Sequence, residues 1–386
     1  LREGVLMQAY FDHNATTPLD EEVLAQMLPF LRHEYGNASS RHDWGTRAHR
    51  AIDRARQQVA ALVNVQPAQV VFVSGGTEAN NLFVRGAAAY LKPSQVVVSA
   101  IEHPCVAKPA RELAREGWRL RTLATDRLGK VEPADAELAL REPTGLVSVM
   151  LANNETGVIQ PVSEIAAMAR DHKAWMHTDA VQALGKIPVD FEALGVDAMS
   201  LSAHKIYGPK GIGALVVSNR LELKPIIHGG GHEAGIRSGT HNVPGIVGFG
   251  AACELASKRM QEIAKRTRDL RDRTELDLIA LGARIFGRGA ERIPNTVYFA
   301  FPEIDGETLV IELDKAGIAV ASGAACSSTS TEPSATLLAM GVAPEIARGA
   351  VRVSFGVQNS GREVEQFLRK LGATVSRLRQ LTAIAV

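Results

Sequence analysis

Residues 199–215 read Met-Ser-Leu-Ser-Ala-His-Lys-Ile-Tyr-Gly-Pro-Lys-Gly-Ile-Gly-Ala-Leu: an apolar strand start, a polar turn centred on Lys205, then a glycine-punctuated run into a second apolar strand. Between two buried strands the flanking chain can desolvate a lysine amine and lower its pKa. A neutral amine attacks carbonyl carbon, as a Schiff-base lysine must. Ser202 and His204 beside it are donors suited to a phosphate. A surface lysine in a hairpin is the bland alternative, so the case rests on what else the chain places nearby.

Polar residues follow several other apolar stretches. Val70 to Ser74 leads into Gly75-Gly76-Thr77-Glu78 and a helical pattern, an order in which first-turn N–H groups and the Thr77 hydroxyl point at an anion. His103 stands in Glu-His-Pro, Asn154 in Asn-Asn-Glu-Thr-Gly, and Asp179 and Gln182 in His-Thr-Asp-Ala-Val-Gln. Singly these read as a cap before Pro104, a turn former and a helix N-cap. Together they meet one chemical need. Pyridoxal phosphate requires a lysine for its aldehyde, a carboxylate to keep its ring nitrogen protonated, a flat group on the ring, a donor to the phenolate oxygen and an anion cradle. Lys205, Asp179, His103, Gln182 and the set Gly76, Thr77, Ser202 and His204 supply these in that order.

Other positions add to the list. Asn14, in the polar turn of Tyr10-Phe-Asp-His-Asn-Ala-Thr-Thr-Pro18, is a candidate pocket residue. Arg352 lies inside the apolar strand Val-Arg-Val-Ser-Phe, where a guanidinium needs a partner and a substrate carboxylate matches its two-pronged geometry. Cys326, in Ser322-Gly-Ala-Ala-Cys-Ser-Ser-Thr-Ser-Thr-Glu-Pro, sits among small polar residues and is expected to be exposed and mobile. Cys253 on its helix fits a buried structural thiol, and Cys105 lies in a post-strand turn. The two histidines of His228-Gly-Gly-Gly-His lack a third ligand, so glycine-permitted backbone approach explains the loop better than a metal.

The elements that must position these residues follow from hydrophobic spacing. Strand and helix alternate from residue 70 to the lysine, the pattern of a mostly parallel sheet covered on both faces, which binds ligands at its strand ends. A long helix is expected over Ile246–Leu281, charged on one face. Beyond Arg284 come strands at Asn295–Phe301, Ile318–Ser322 and Ala350–Ser354, helices at Gly306–Ala316 and Ser334–Met340, and a final helix from Arg362, a small α+β domain. The expected domains are residues 1–18 packing with the small domain, 19–260 binding the cofactor, and 261–386 carrying the cysteine loop. Net charge of +1 and 46% apolar residues give no electrostatic case for nucleic acid or membrane. The N-terminus lacks signal-peptide order, and Met7 reads as a natural start, so a cytoplasmic location is expected. Three cysteines without paired spacing suggest neither disulfides nor zinc.

The motifs DHNATTP, SGGTEANN, EHP, NNETG, HTDAVQ, SAHKIYGPKG, RSGT and SGAACSS together resemble the cysteine desulfurases of the NifS and IscS type, within the class-V aminotransferases of fold type I. The resemblance runs from Tyr10 across essentially the whole chain. It implies an α/β large domain with a mostly parallel seven-stranded sheet plus the small α+β domain, and a homodimer in which Thr240 reaches the partner's cofactor phosphate. It implies L-cysteine as substrate, its carboxylate held by Arg352 and Asn14 with Asn154 nearby, Lys205 moving the Cα proton, and His103 as acid or base. The sulfur would leave as a persulfide on Cys326, for an iron–sulfur scaffold or other acceptor protein. No resident metal is implied, with Cys326 a cluster ligand only during transfer. The alternatives are a selenocysteine lyase or another class-V enzyme using pyridoxal phosphate. The branch serving general iron–sulfur assembly typically has a longer C-terminal tail than the one here, so the resemblance implies the nitrogen-fixation-like branch or an unspecialised member.

Overall fold

A computed structural model describes residues 8–323 and 332–384. Met7 and Cys326 lie outside the described residues. After a short strand β1 (Ala9–Tyr10), seven strands form the main sheet: β2 (Val70–Val73), β3 (Gln95–Ser99), β4 (Arg119–Leu123), β5 (Thr144–Ser148), β6 (Trp175–Asp179), β7 (Ala198–Ser202) and β8 (Gly213–Val217). Their spatial order is β2-β8-β7-β6-β5-β3-β4, and β8 alone runs against the rest. The expected mostly parallel sheet is present.

Alternate residues of each strand feed opposite layers, as a two-residue repeat requires. Val70 and Phe72 pack with Ile52, Val59 and Phe249 on one side. Val71 and Val73 pack with Leu82, Phe83 and Leu113 on the other. Strands buried on both faces read as unbroken apolar runs, and so β2, β3 and β8 were legible. β4 was not expected from the sequence, because at the sheet edge it carries Arg119 and Arg121 among its apolar residues.

A 38-residue helix, Val243–Ala280, joins the two halves of the chain. Its Cys253 belongs to the sheet-side core, and its Leu278 belongs to a separate core with Phe299, Phe367 and Leu371. The boundary expected after residue 260 therefore falls inside a continuous helix. Strands β9 (Arg284–Ile285), β10 (Thr296–Ala300), β11 (Ile318–Ala319), β12 (Ala321–Ser322) and β13 (Ala350–Ser354) follow. Four of them form an antiparallel sheet in the order β12-β13-β10-β9. The expected single strand Ile318–Ser322 is split in two. Ala319 pairs with Tyr10 of β1, whereas Ala321 pairs with Arg352 of β13, so the chain changes sheets at Val320. Phe11 continues the attachment of the N-terminal segment, fully buried and edge-on to Phe355 at 5.7 Å.

Candidate functional site

Five strands end on the same edge of the sheet, and each delivers a candidate residue there. A pocket is lined by Gly76, Thr77, His103, Asn154, Asp179, Gln182, Ser202, His204 and Lys205, together with Asn80, Cys105, Met150 and Val181. Nine candidate positions separated by up to 129 residues (205 − 76) thus converge. Their chain order is the order of the strands.

One end of the pocket is an anion cradle. The helix Gly76–Ala88 begins after Gly75, at φ 155° and ψ −177°, a conformation open essentially to glycine alone. No side chain caps that helix, so its first N–H groups are left for a ligand. Ser202 Oγ is buried without a hydrogen-bond partner among the described residues. Room for these groups depends on Gly213, where an added Cβ would sit 2.5 Å from the Leu201 carbonyl oxygen and 2.8 Å from Gly75 Cα. His204 donates or accepts at Thr16 Oγ1, 3.1 Å away. Burial, aided by Lys205, Lys210 and Lys186, pulls its pKa down to about 4, so it is a neutral ring here.

The pocket floor carries the carboxylate. Asp179 is buried; its Oδ2 accepts from Asn80 Nδ2 at 2.7 Å and its Oδ1 from the Val181 N–H at 2.9 Å. Lys205 follows β7 in a single 3₁₀ turn, Ala203–Lys205. Its Nζ donates to the backbone oxygens of Asn14 at 2.5 Å and Ala15 at 2.7 Å. Gln182 Nε2 donates to the same Asn14 oxygen at 3.0 Å. His103 caps the helix Pro104–Arg115, its Nδ1 accepting from the Cys105 N–H at 3.2 Å. Burial lowers its pKa, with Asp179 opposing and Lys205 reinforcing. Glu102 next to it is buried, and that burial raises its carboxyl to about 8.

The other end is charged. Arg352 in β13 is 6% exposed, and it is already paired: Nη2 donates to Asp12 Oδ1 at 2.6 Å and Nη1 to the Asn154 oxygen at 3.0 Å. Asp12 is the partner that the strand arginine needed, and the sequence reading did not name it. Nε remains buried without a partner among the described residues. Asn14, expected to touch a substrate carboxylate, has its amide committed. Nδ2 donates to the Asn154 oxygen and Thr296 Oγ1, while Oδ1 accepts from Lys186 Nζ at 3.1 Å and Asn295 Nδ2 at 3.1 Å. Lys186, unnoticed in the sequence although it is a charge in Ala183-Leu-Gly-Lys-Ile, has its pKa held well below the lysine range by burial, then by Lys205 and Arg352.

Thr240 is exposed and lies outside the pocket. The loop before it is clamped from within: Glu233 takes both Arg56 terminal nitrogens at 2.7 and 2.8 Å, and Arg237 Nε meets Glu78 at 2.8 Å. Among the described residues no group of three or more His, Cys, Asp or Glu could hold a metal, and no helix is long and apolar enough to cross a membrane.

Comparison with known proteins follows the same lines. The sequence model of the class-V aminotransferases matches residues 9–367. The chain belongs to that family. It is 40% identical to a cysteine desulfurase IscS of Dictyoglomus turgidum, covering 97% of this chain and 96% of that one. It is 42% identical to cysteine desulfurase IscS 1 of Archaeoglobus fulgidus, covering 97% and 99%. Among solved structures, a NifS-like protein superposes with a TM-score of 0.90 at 38% identity, over 96% of this chain and all of the other. A structure described as SspA in complex with cysteine matches at a TM-score of 0.78 and 33% identity, over 90% of this chain and 98% of that one. Within the class-V aminotransferases the chain therefore stands among the cysteine desulfurases.

Proposed function

We propose that the pocket binds pyridoxal phosphate and that the protein converts L-cysteine to L-alanine, passing the sulfur on as a persulfide. The observation that carries the reading is the set of groups converging at one sheet edge: an amine, a buried carboxylate, a neutral imidazole and an uncapped helix start beside a buried, orphaned hydroxyl. That donor set fits the cofactor. Lys205 would hold its aldehyde, Asp179 its ring nitrogen, His103 its ring face and Gln182 its phenolate oxygen, with Asn154 alongside. Gly76, Thr77, Ser202 and His204 would hold its phosphate, joined by Thr240 of a second copy in a homodimer. Once bound, the group supplies a sink for the electron pair left at the substrate Cα.

The chain's own residues do the rest. Among the described residues Arg352 keeps a free N–H on each terminal nitrogen beyond those spent on Asp12 and Asn154, enough to pair a substrate carboxylate. A carboxylate could reach Asn14 only by displacing an existing bond, so we assign Asn14 to holding Asn154, Lys186 and Lys205 in place. Lys205 Nζ takes the Cα proton and later returns one. His103 exchanges a proton with the substrate thiol. Cys326 as thiolate attacks the substrate sulfur; the S–S bond forms as the Cβ–S bond breaks, and the carbon product leaves as alanine after gaining a proton. The acceptor would be an iron–sulfur scaffold or another sulfur-carrying protein. We divide the chain at residues 18 and 260 for this purpose, with the Cys326 segment on the small domain. The relatives' names favour this reading over a selenocysteine lyase.

The deciding experiment incubates the cofactor-loaded protein with L-cysteine and reads alanine, sulfide and protein mass. Alanine with one added sulfur on Cys326 is expected, and Cys326→Ala should bind cysteine yet release little alanine. Added sulfur on Cys253, or parent-rate turnover by Cys326→Ala, would sink the assignment.

A further inference from the structure

A thiol stands inside the pocket, on the first turn of the helix that His103 caps. Cys105 Sγ lies 2.8 Å from His103 Nδ1, the nitrogen that also accepts from the Cys105 backbone N–H. The same sulfur lies 2.9 Å from Asn80 Nδ2, whose amide donates to Asp179 Oδ2. Burial first, then Asp179, pushes the thiol up to about 12, so it keeps its hydrogen at neutral pH. A backbone N–H can only donate, and Asn80 Nδ2 can only donate, so the sulfur accepts from Asn80 and its own hydrogen has Nδ1 as acceptor. Two donors on Nδ1 force the ring proton onto Nε2, which has no hydrogen-bond partner among the described residues.

We propose that Cys105 is a positioning residue that fixes His103 as its Nε2–H tautomer, leaving Nε2 as the nitrogen that exchanges protons with substrate. The second half of this rests on the acid–base reading of His103 given above; the tautomer does not. Charging the ring would place a hydrogen on Nδ1 and turn away both donors, which disfavours the imidazolium. The charged groups acting on the ring are Asp179 at the end of β6 and Lys205 after β7, and Glu102 is its neighbour in the chain; none of them is removed with the thiol. Removing it should raise the His103 pKa by about half to one unit, the worth of one hydrogen bond.

Nitrogen NMR of cofactor-loaded protein carrying labelled histidine tests this, with the His103 signals identified by their loss in His103→Gln. The expected result is a protonated Nε2 and bare Nδ1 in the parent, a pKa raised by about half to one unit in Cys105→Ala, and near-parent values in Cys105→Ser, whose hydroxyl also donates. The acid limb of kcat/KM for L-cysteine should move with it. A proton on Nδ1 in the parent, or identical tautomer and pKa in Cys105→Ala, would overturn the proposal, as would turnover sulfur found on Cys105. The parent tautomer is read without any Cys105 variant and needs only His103→Gln to fold. If the tautomer and its shift are found while alanine is not formed, the proposed activity fails and the assignment of Cys105 stands.

Discussion

The two ends of the pocket are built by different means. At the Lys205 end the groups follow five strands of one sheet, within a few residues of buried apolar runs. At the Arg352 end the guanidinium is held by Asp12, 340 residues away, and by Asn154, 198 residues away, so three segments must meet before the site exists. At the first end the Asp179 carboxylate and the Lys205 amine stand among neutral histidines and a protonated Glu102. The second gathers Arg352 and Lys186 against a single carboxylate. A scaffold of strand ends suits a rigid planar cofactor, and a charged contact between domains suits a substrate that comes and goes.

The largest effect should come from the rigid end. On the function proposed, Lys205→Ala would remove both the covalent anchor and the proton carrier, so turnover of L-cysteine should fall by at least about 10³-fold. Borohydride reduction followed by peptide mass spectrometry should find the cofactor on Lys205 in the parent and nowhere in the variant. Retained turnover would erase the distinction between the ends. At the charged end, Arg352→Lys keeps the charge and loses the fork, and we expect KM for L-cysteine to rise about 10- to 100-fold with kcat changed little, because the carboxylate contact is the same before and during reaction. A fall in kcat without a change in KM would place Arg352 outside substrate binding.

Acid should separate the ends by stability. His204 and His13 are held near 4 and His177 near 3, each chiefly by burial, against an ordinary value of 6.5. A folded pKa below the unfolded one means the stabilisation is complete above 6.5 and is lost as pH falls from 6.5 towards 4. Glu102 has the opposite sign: raised to about 8 from 4.5, it is stabilising at low pH and loses that as pH rises through this range. Three groups outweigh one, so the thermal midpoint should drop on acidification. His177→Gln, which removes the ring lying between Ser148 and Ser200, should flatten the slope. An unchanged slope would show that His177 is not kept neutral.

The same contrast explains what could be read from the sequence. Thr77, His103, Asp179 and Ser202 were legible because a polar residue after an apolar strand is a local pattern, and parallel strands bring such residues together without further information. Asp12, Asn80, Glu155 and Lys186 were not, since their roles depend on partners far along the chain. Glu155 shows this best. Its carboxylate accepts from Tyr298 at 2.9 Å and Thr336 at 3.0 Å, and also from Ser334, all in the small domain, yet in sequence it is one more turn residue of Asn-Asn-Glu-Thr-Gly. β4 escaped for the related reason that an edge strand is defined by its neighbour β3 more than by its own residues.

Asp12 offers the finest test, because its two effects have opposite signs. Its carboxylate lies against Arg352, whose side chain is 7% exposed, while its own is 20% exposed. Asp12 therefore orients the guanidinium, and it also neutralises part of the charge that a substrate carboxylate would meet. Asp12→Asn keeps an oxygen for the Nη2 hydrogen bond and deletes the charge. Orientation should survive, so the freed charge should lower KM for L-cysteine by about threefold, the scale of a partly screened pair. Leaving a buried guanidinium uncompensated costs stability, so the thermal midpoint should fall in the same variant. Added salt should shrink the KM gain and leave most of the stability loss, since screening reaches the open pocket more than the buried pair. If KM instead rises, Asp12 acts on the substrate through orientation more than through charge, and the Arg352 end is as rigid as the Lys205 end.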